Sequence, residues 1–79
     1  ATIHTVQDLV DFNYKRFGFT PREIDVTRQL MKGTPYKLIA QELNISEKTI
    51  NRHVSNAFLK TGAKNRVELI KKLEAREFA

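Results

Sequence analysis

The sequence predicts an all-α bundle, and three observations carry that reading. Apolar residues recur at helical spacing from Val6 to Leu73, with no run that alternates at a strand's period of two. Glycine follows three of these segments, at Gly18, Gly33 and Gly62, where it can take the left-handed conformation that closes a helix. The stretch from Thr34 to Arg66, T-P-Y-K-L-I-A-Q-E-L-N-I-S-E-K-T-I-N-R-H-V-S-N-A-F-L-K-T-G-A-K-N-R, writes two helices around a three-residue turn, which is a helix-turn-helix. No internal repeat, low-complexity segment or flexible linker competes with this reading.

Each element has its own signals. Thr5 can cap a first helix running to about Phe17, with Val6, Leu9, Val10, Tyr14 and Phe17 as its apolar stripe. Thr20-Pro21-Arg22-Glu23 places threonine at a cap, proline at the first helical position and glutamate three residues after the cap, so a second helix starts there and ends near Lys32. Thr34-Pro35 repeats the threonine-proline arrangement before a third helix over Tyr36 to Leu43, which would bury Ile39, Ala40 and Leu43. Ser46 can accept a backbone hydrogen bond from Lys48 or Thr49 and cap a fourth helix reaching about Thr61, with Ile50, Val54, Ala57 and Phe58 inward. Asn65 can cap a fifth helix, with Glu68 at the third helical position and Val67, Ile70 and Leu73 on one side.

At 79 residues the chain makes one domain with a small core, so its stability should be marginal. Cysteine is absent, which removes disulfides, thiolate ligands and cysteine nucleophiles together. No apolar run approaches the length that spans a bilayer and the start does not resemble the charged-then-apolar pattern of a signal peptide, so the expectation is a soluble, cytoplasmic protein without membrane contact. The net charge of +5 is unevenly spread. Residues 1–33 carry five cations against four acids, residues 34–66 carry six against two, and the remainder balances. The excess therefore sits on the helix-turn-helix, where a polyanion gains affinity by releasing condensed counterions.

At these residues F-T-P-R-E-I-D-V, then K-G, then K-L-I-A-Q-E-L-N-I-S-E-K-T-I-N-R-H-V, and finally K-N-R-V-E-L resembles the LuxR-type DNA-binding domain, also called the LuxR/FixJ or NarL-type helix-turn-helix. The resemblance covers about Phe19 to Leu73. It implies a four-helix bundle carrying the helix-turn-helix over residues 19–79, with residues 1–18 as an additional N-terminal or linker helix. It also implies a bacterial transcription regulator, with this segment as the effector domain of a two-component or ligand-sensing protein. One departure stands out: where the family has a leucine-rich second helix, this chain has Thr27 and Gln29, two polar residues in place of leucines. Ile24, Met31 and the extra helix can supply the missing apolar contact.

Advancing about 100° per residue from an inward Ile50 leaves Val54, Ala57 and Thr61 inward. Lys48, Arg52, Ser55, Asn56 and Leu59 fall on the opposite side with Asn51 beside them. A basic helix with a polar outer face fits the major groove. The resemblance assigns base reading to the positions of Asn51, Arg52 and Ser55; Arg52 suits guanine and Asn51 suits adenine, since each can pair bidentately with those edges. Ser46, Lys48, Thr49 and the amides of the helix start can face phosphates. Lys37, Asn56, Lys60, Lys64, Asn65 and Arg66 flank that surface as further backbone contacts. Arg66 has a second reading, an ion pair with Glu23.

His4 and His53 are far apart in sequence and form no ligand cluster, so no metal or cofactor is expected; His53 reads as a packed residue of the fourth helix. No glycine-rich phosphate loop or nucleophile elbow occurs, and neither an enzyme nor a small-molecule site within this domain is expected. The competing class is a helical protein-interaction module, or a sigma-factor-like domain docking RNA polymerase. It would expose apolar anchors on the fourth helix, and Leu59 is the only one. The fifth helix has more apolar residues than one stripe needs. Val67 and Ile70, with Lys71 and Glu74, form a candidate homodimer interface that two DNA half-sites would assist.

Overall fold

The computed structural model describes residues 3–76, so Ala1, Thr2 and residues 77–79, the outer ends of the two expected segments, lie outside the described residues. Five helices follow in order: α1 Val6–Arg16, α2 Pro21–Met31, α3 Tyr36–Leu43, α4 Glu47–Thr61 and α5 Arg66–Leu73. Among the described residues there is no strand, and no helix is long and apolar enough to cross a membrane.

The caps act locally. Thr5 Oγ1 accepts the Asp8 amide at 3.0 Å, and the Asp8 carboxylate returns to the Thr5 amide at 3.3 Å. Thr20 and Glu23 repeat this reciprocal pairing at the start of α2, with Pro21 in the first turn. Ser46 accepts from the Thr49 amide and Asn65 from the Glu68 amide. Each bond satisfies a donor that a helix start would otherwise leave without a partner. The expected threonine cap of the third helix does not form. Pro35 occupies the N-cap position of α3, and the Thr34 hydroxyl instead donates to Gln29 Oε1 at 3.1 Å, drawn back to the end of α2.

The turn between α3 and α4 depends on Asn44, the one residue other than glycine with positive φ among those described, at 56°. Asparagine tolerates this left-handed conformation better than branched side chains. It reverses the chain so that the Ile45 amide bonds back to Ala40 O at 3.0 Å, and α4 starts two residues later.

The core gathers Val26 and Leu30 of α2, Ile39 and Ala40 of α3, Ile50, Val54 and Ala57 of α4, and Leu69 and Leu73 of α5. α4 lies at the centre, packed chiefly on α2 and α3. Several expected inward residues sit nearer the surface. Phe17, Leu43 and Phe58 are only half-buried, and Val6 is 55% exposed. On α5 the inward pair is Leu69 and Leu73, spaced one helical turn apart, rather than the expected stripe of Val67, Ile70 and Leu73. Val67 lies about 200° round the helix from Leu69 and is exposed.

The additional helix belongs to the same core, contributing Val10 and Tyr14. Its Asn13 is fully buried, and Nδ2 donates to Leu73 O at 2.7 Å and Ala75 O at 3.0 Å, capping the end of α5 from another helix. Arg16 Nε donates to Asn13 Oδ1 at 3.2 Å and holds the amide in place. Arg28 of α2 pairs with Asp11 at 3.3 Å and lies over the Tyr14 ring. Burial pushes the Tyr14 phenol up to about 12, so it stays neutral and donates to Met31 Sδ at 3.7 Å. These contacts compensate for the polar α2: Thr27 is buried with its hydroxyl unpartnered among the described residues, while Ile24 and Met31 pack against the core from beside it.

Candidate nucleic-acid interface

The helical phase of α4 sorts its side chains into two sets. Ile50, Val54, Ala57 and Thr61 are buried, whereas Lys48, Asn51, Arg52, Ser55 and Leu59 are exposed. Burial of the first set against α2 and α3 fixes the rotation of the helix, and that rotation presents the second set to solvent. The exposed set runs along some three turns of one helix without a carboxylate. It can donate hydrogen bonds from one lysine, one arginine and one amide, and Ser55 can donate or accept.

At the start of α4, Ser46 Oγ accepts the Thr49 amide at 3.1 Å and shares a hydrogen bond with Thr49 Oγ1 at 2.9 Å. Both hydroxyls therefore support the helix start, with Lys48 exposed between them. Lys37 on α3 is exposed, as are Lys64, Asn65 and Arg66 where α4 gives way to α5. Asn65 is held by its capping bond to Glu68, and the Lys64 amide donates to Glu68 Oε1 at 2.9 Å.

Two residues expected at phosphates are engaged elsewhere. Lys60 forms an ion pair with Glu23 and donates to Gly18 O at 3.0 Å, while Asn56 Nδ2 donates to Glu23 Oε2 at 3.4 Å. Glu23 is 4% exposed, and its carboxylate also receives the Thr20 amide at 3.0 Å. A buried carboxylate is costly unless paired and hydrogen-bonded, so it draws both side chains off the outer face of α4. Lys60, rather than Arg66, is thus the basic partner of Glu23; Arg66 remains exposed. His53 is half-buried on the flank of α4, its Nδ1 enclosed and unpartnered among the described residues. No group of three or more metal-ligating side chains occurs among the described residues.

The Glu23 network fixes the α1–α2 connection and the start of α2 against the last turns of α4, and it titrates. Burial by itself would raise the Glu23 carboxyl; the hydrogen bonds from Lys60, Thr20 and Asn56 and the Lys60 charge outweigh it and leave the group below its ordinary value of 4.5. A carboxylate depressed on folding adds stability above its unfolded pKa and loses it as pH falls through the folded one. The melting temperature should therefore drop below about pH 4.5. Glu23→Gln should cost about 1–2 kcal/mol at pH 7 and flatten the acid slope. An unchanged slope in thermal melts of that variant would assign acid sensitivity to another group.

The sequence has counterparts among known proteins. The family described as "Bacterial regulatory proteins, luxR family" matches residues 18–73. A probable transcriptional regulator, ycf29, of Cyanophora paradoxa is 41% identical over 63 residues, 80% of this chain and 30% of its own length. The nitrate/nitrite response regulator protein NarL of Escherichia coli K12 is 43% identical over 49 residues, 62% of this chain and 23% of its own. The spore germination protein GerE of Bacillus subtilis is 44% identical over 54 residues, 68% of this chain and 73% of its own. The chain thus spans less than a third of the first two relatives. No solved structure matches it.

Proposed function

The chain belongs to the luxR family of bacterial regulatory proteins, and from that premise we propose that it binds double-stranded DNA sequence-specifically, with α4 as the recognition helix in the major groove. The observation that carries this reading is the exposed face of α4, where Lys48, Asn51, Arg52 and Ser55 line up opposite the buried Ile50, Val54 and Ala57. Asn51, Arg52 and Ser55 read base edges; Lys37, Ser46, Lys48, Thr49, Lys64, Asn65 and Arg66 hold phosphates. Asn56 and Lys60 contribute by fixing the frame through Glu23. The domain serves as the effector of a cytoplasmic regulator controlled by a receiver or ligand-sensing domain, without a cofactor of its own.

Two partners accompany this reading. Val67 and Lys71 face away from Leu69 and Leu73 on α5, Glu74 follows exposed at its C-cap and Ile70 is half-buried on the flank; Val67 is 62% exposed, which favours a homodimer formed on adjacent half-sites. One short helix buries little area, so the free domain is monomeric and DNA supplies the effective concentration. RNA polymerase contact is the other partner, through surfaces that DNA leaves uncovered.

Titration of matched and mismatched duplexes at several salt concentrations tests the assignment. Arg52→Ala should keep the fold and lose about 1–3 kcal/mol of discrimination at one base position. Lys48→Ala should weaken every sequence alike and lower the salt slope by about one. Equal losses on every duplex would remove Arg52 as a base reader. Independent occupancy of correctly spaced half-sites in the same titrations would remove the α5 interface.

A further inference from the structure

The most exposed of the large apolar side chains described is Leu59, at 79%, and it stands on the outer face of α4. Seven residues separate it from Arg52 and four from Ser55, so the three project within about 60° of one another. Nine residues separate it from the buried Ile50, which places it about 180° from the core. The helix continues to Thr61, so Leu59 lies within it rather than at a frayed end.

Its polar neighbours make the position unusual. Asn56 and Lys60 are the other side chains able to project from this end of α4 toward a duplex, and both are turned to Glu23. What a groove meets there is a bare isobutyl group. Such a group can neither donate nor accept a hydrogen bond, and it offers phosphate no charge. Of the base edges in the major groove, the C5-methyl of thymine alone offers it an apolar partner. A protein-docking surface would place further apolar anchors beside it, and the exposed face of α4 has none besides Leu59.

We propose that Leu59 is a specificity-determining residue, about 10 Å along the α4 axis from Arg52, that reads the methyl group of a thymine beyond the base read by Arg52. The assignment rests on α4 being the recognition helix, and it adds an apolar contact to a face otherwise read by hydrogen bonding. Desolvating one methyl group corresponds to about a fourfold gain in affinity.

The test uses duplexes selected by this protein from a randomised pool, with each thymine replaced in turn by deoxyuridine, which removes only the methyl group. Parent protein should lose about fourfold at one thymine on the side of the site away from the Arg52-dependent base. Leu59→Ala should bind the thymine and deoxyuridine duplexes alike at that position, while Arg52→Ala retains the difference. Because Leu59 is exposed, the Leu59→Ala melting temperature should match the parent's. A selected site with no required thymine, or a methyl effect that survives in Leu59→Ala, overturns the proposal. Failure of the parent to select any sequence would overturn the DNA reading itself, an outcome visible before any variant is tested.

Discussion

Replacing Ile50 by aspartate should abolish the cooperative thermal transition and, with it, DNA binding. Ile50 is fully buried where α4 crosses the core, and no cation reaches that position from α3, whose inward residues there are Ile39 and Ala40. An unpaired carboxylate at such a site costs several kcal/mol. A chain of this length has about 4–12 kcal/mol in total, so most or all of its stability is lost. Ile50→Val provides the contrast, since removal of one methylene costs about 1 kcal/mol and should leave the fold and the DNA preference intact. Circular dichroism melts of the two variants distinguish burial from a peripheral position; an aspartate variant that melts like the parent would displace Ile50 from the core.

The second large effect is expected at Asn13. Asn13→Ala leaves the buried carbonyl of Leu73 and the part-buried carbonyl of Ala75 without this donor, at a cost of about 1–3 kcal/mol. Asn13→Asp should be worse, because a carboxylate there faces two carbonyl oxygens at the negative end of α5. Chemical denaturation should rank parent above alanine above aspartate, with amide exchange accelerated in the last turn of α5 in both variants. Three equal midpoints would show that the Asn13 bonds contribute nothing net.

Most of what depended on near neighbours was legible in the sequence, the exception being Thr34, whose hydroxyl Gln29 claims in place of a cap on α3. Thr20, Pro21 and Glu23 define a helix start within four residues, and Ser46 and Asn65 do the same, because capping is settled inside one turn. The opposed faces of α4 were equally legible, since Ile50, Val54 and Ala57 mark one phase unambiguously. Contacts between distant segments were not. Lys60 and Asn56 sit at the flank of α4 by phase, and nothing local says that Glu23, 37 residues before Lys60, would claim them. Asn13 carries a local signal of its own: a polar residue in phase with Leu9, Val10 and Tyr14 must find a buried partner, although phase alone does not name it. On α5, Val67, Leu69, Ile70 and Leu73 allow two inward phases, and only packing against the other helices selects Leu69 with Leu73.

The bond from Asn13 to the end of α5 also bears on how the chain folds. α2, α3 and α4 follow one another along the chain and pack together, so their contacts close short loops. The Asn13–Leu73 bond closes a span of 60 residues and joins the first helix to the last. Chain entropy opposes long closures more than short ones, so the central three helices are expected to condense first and the outer pair to seal the bundle afterwards, which amide exchange during refolding would check. Interactions made after the transition state slow unfolding without hastening folding. On that order the seam between α1 and α5 is a latch on the finished bundle, and Asn13→Ala should speed unfolding while leaving the folding rate unchanged.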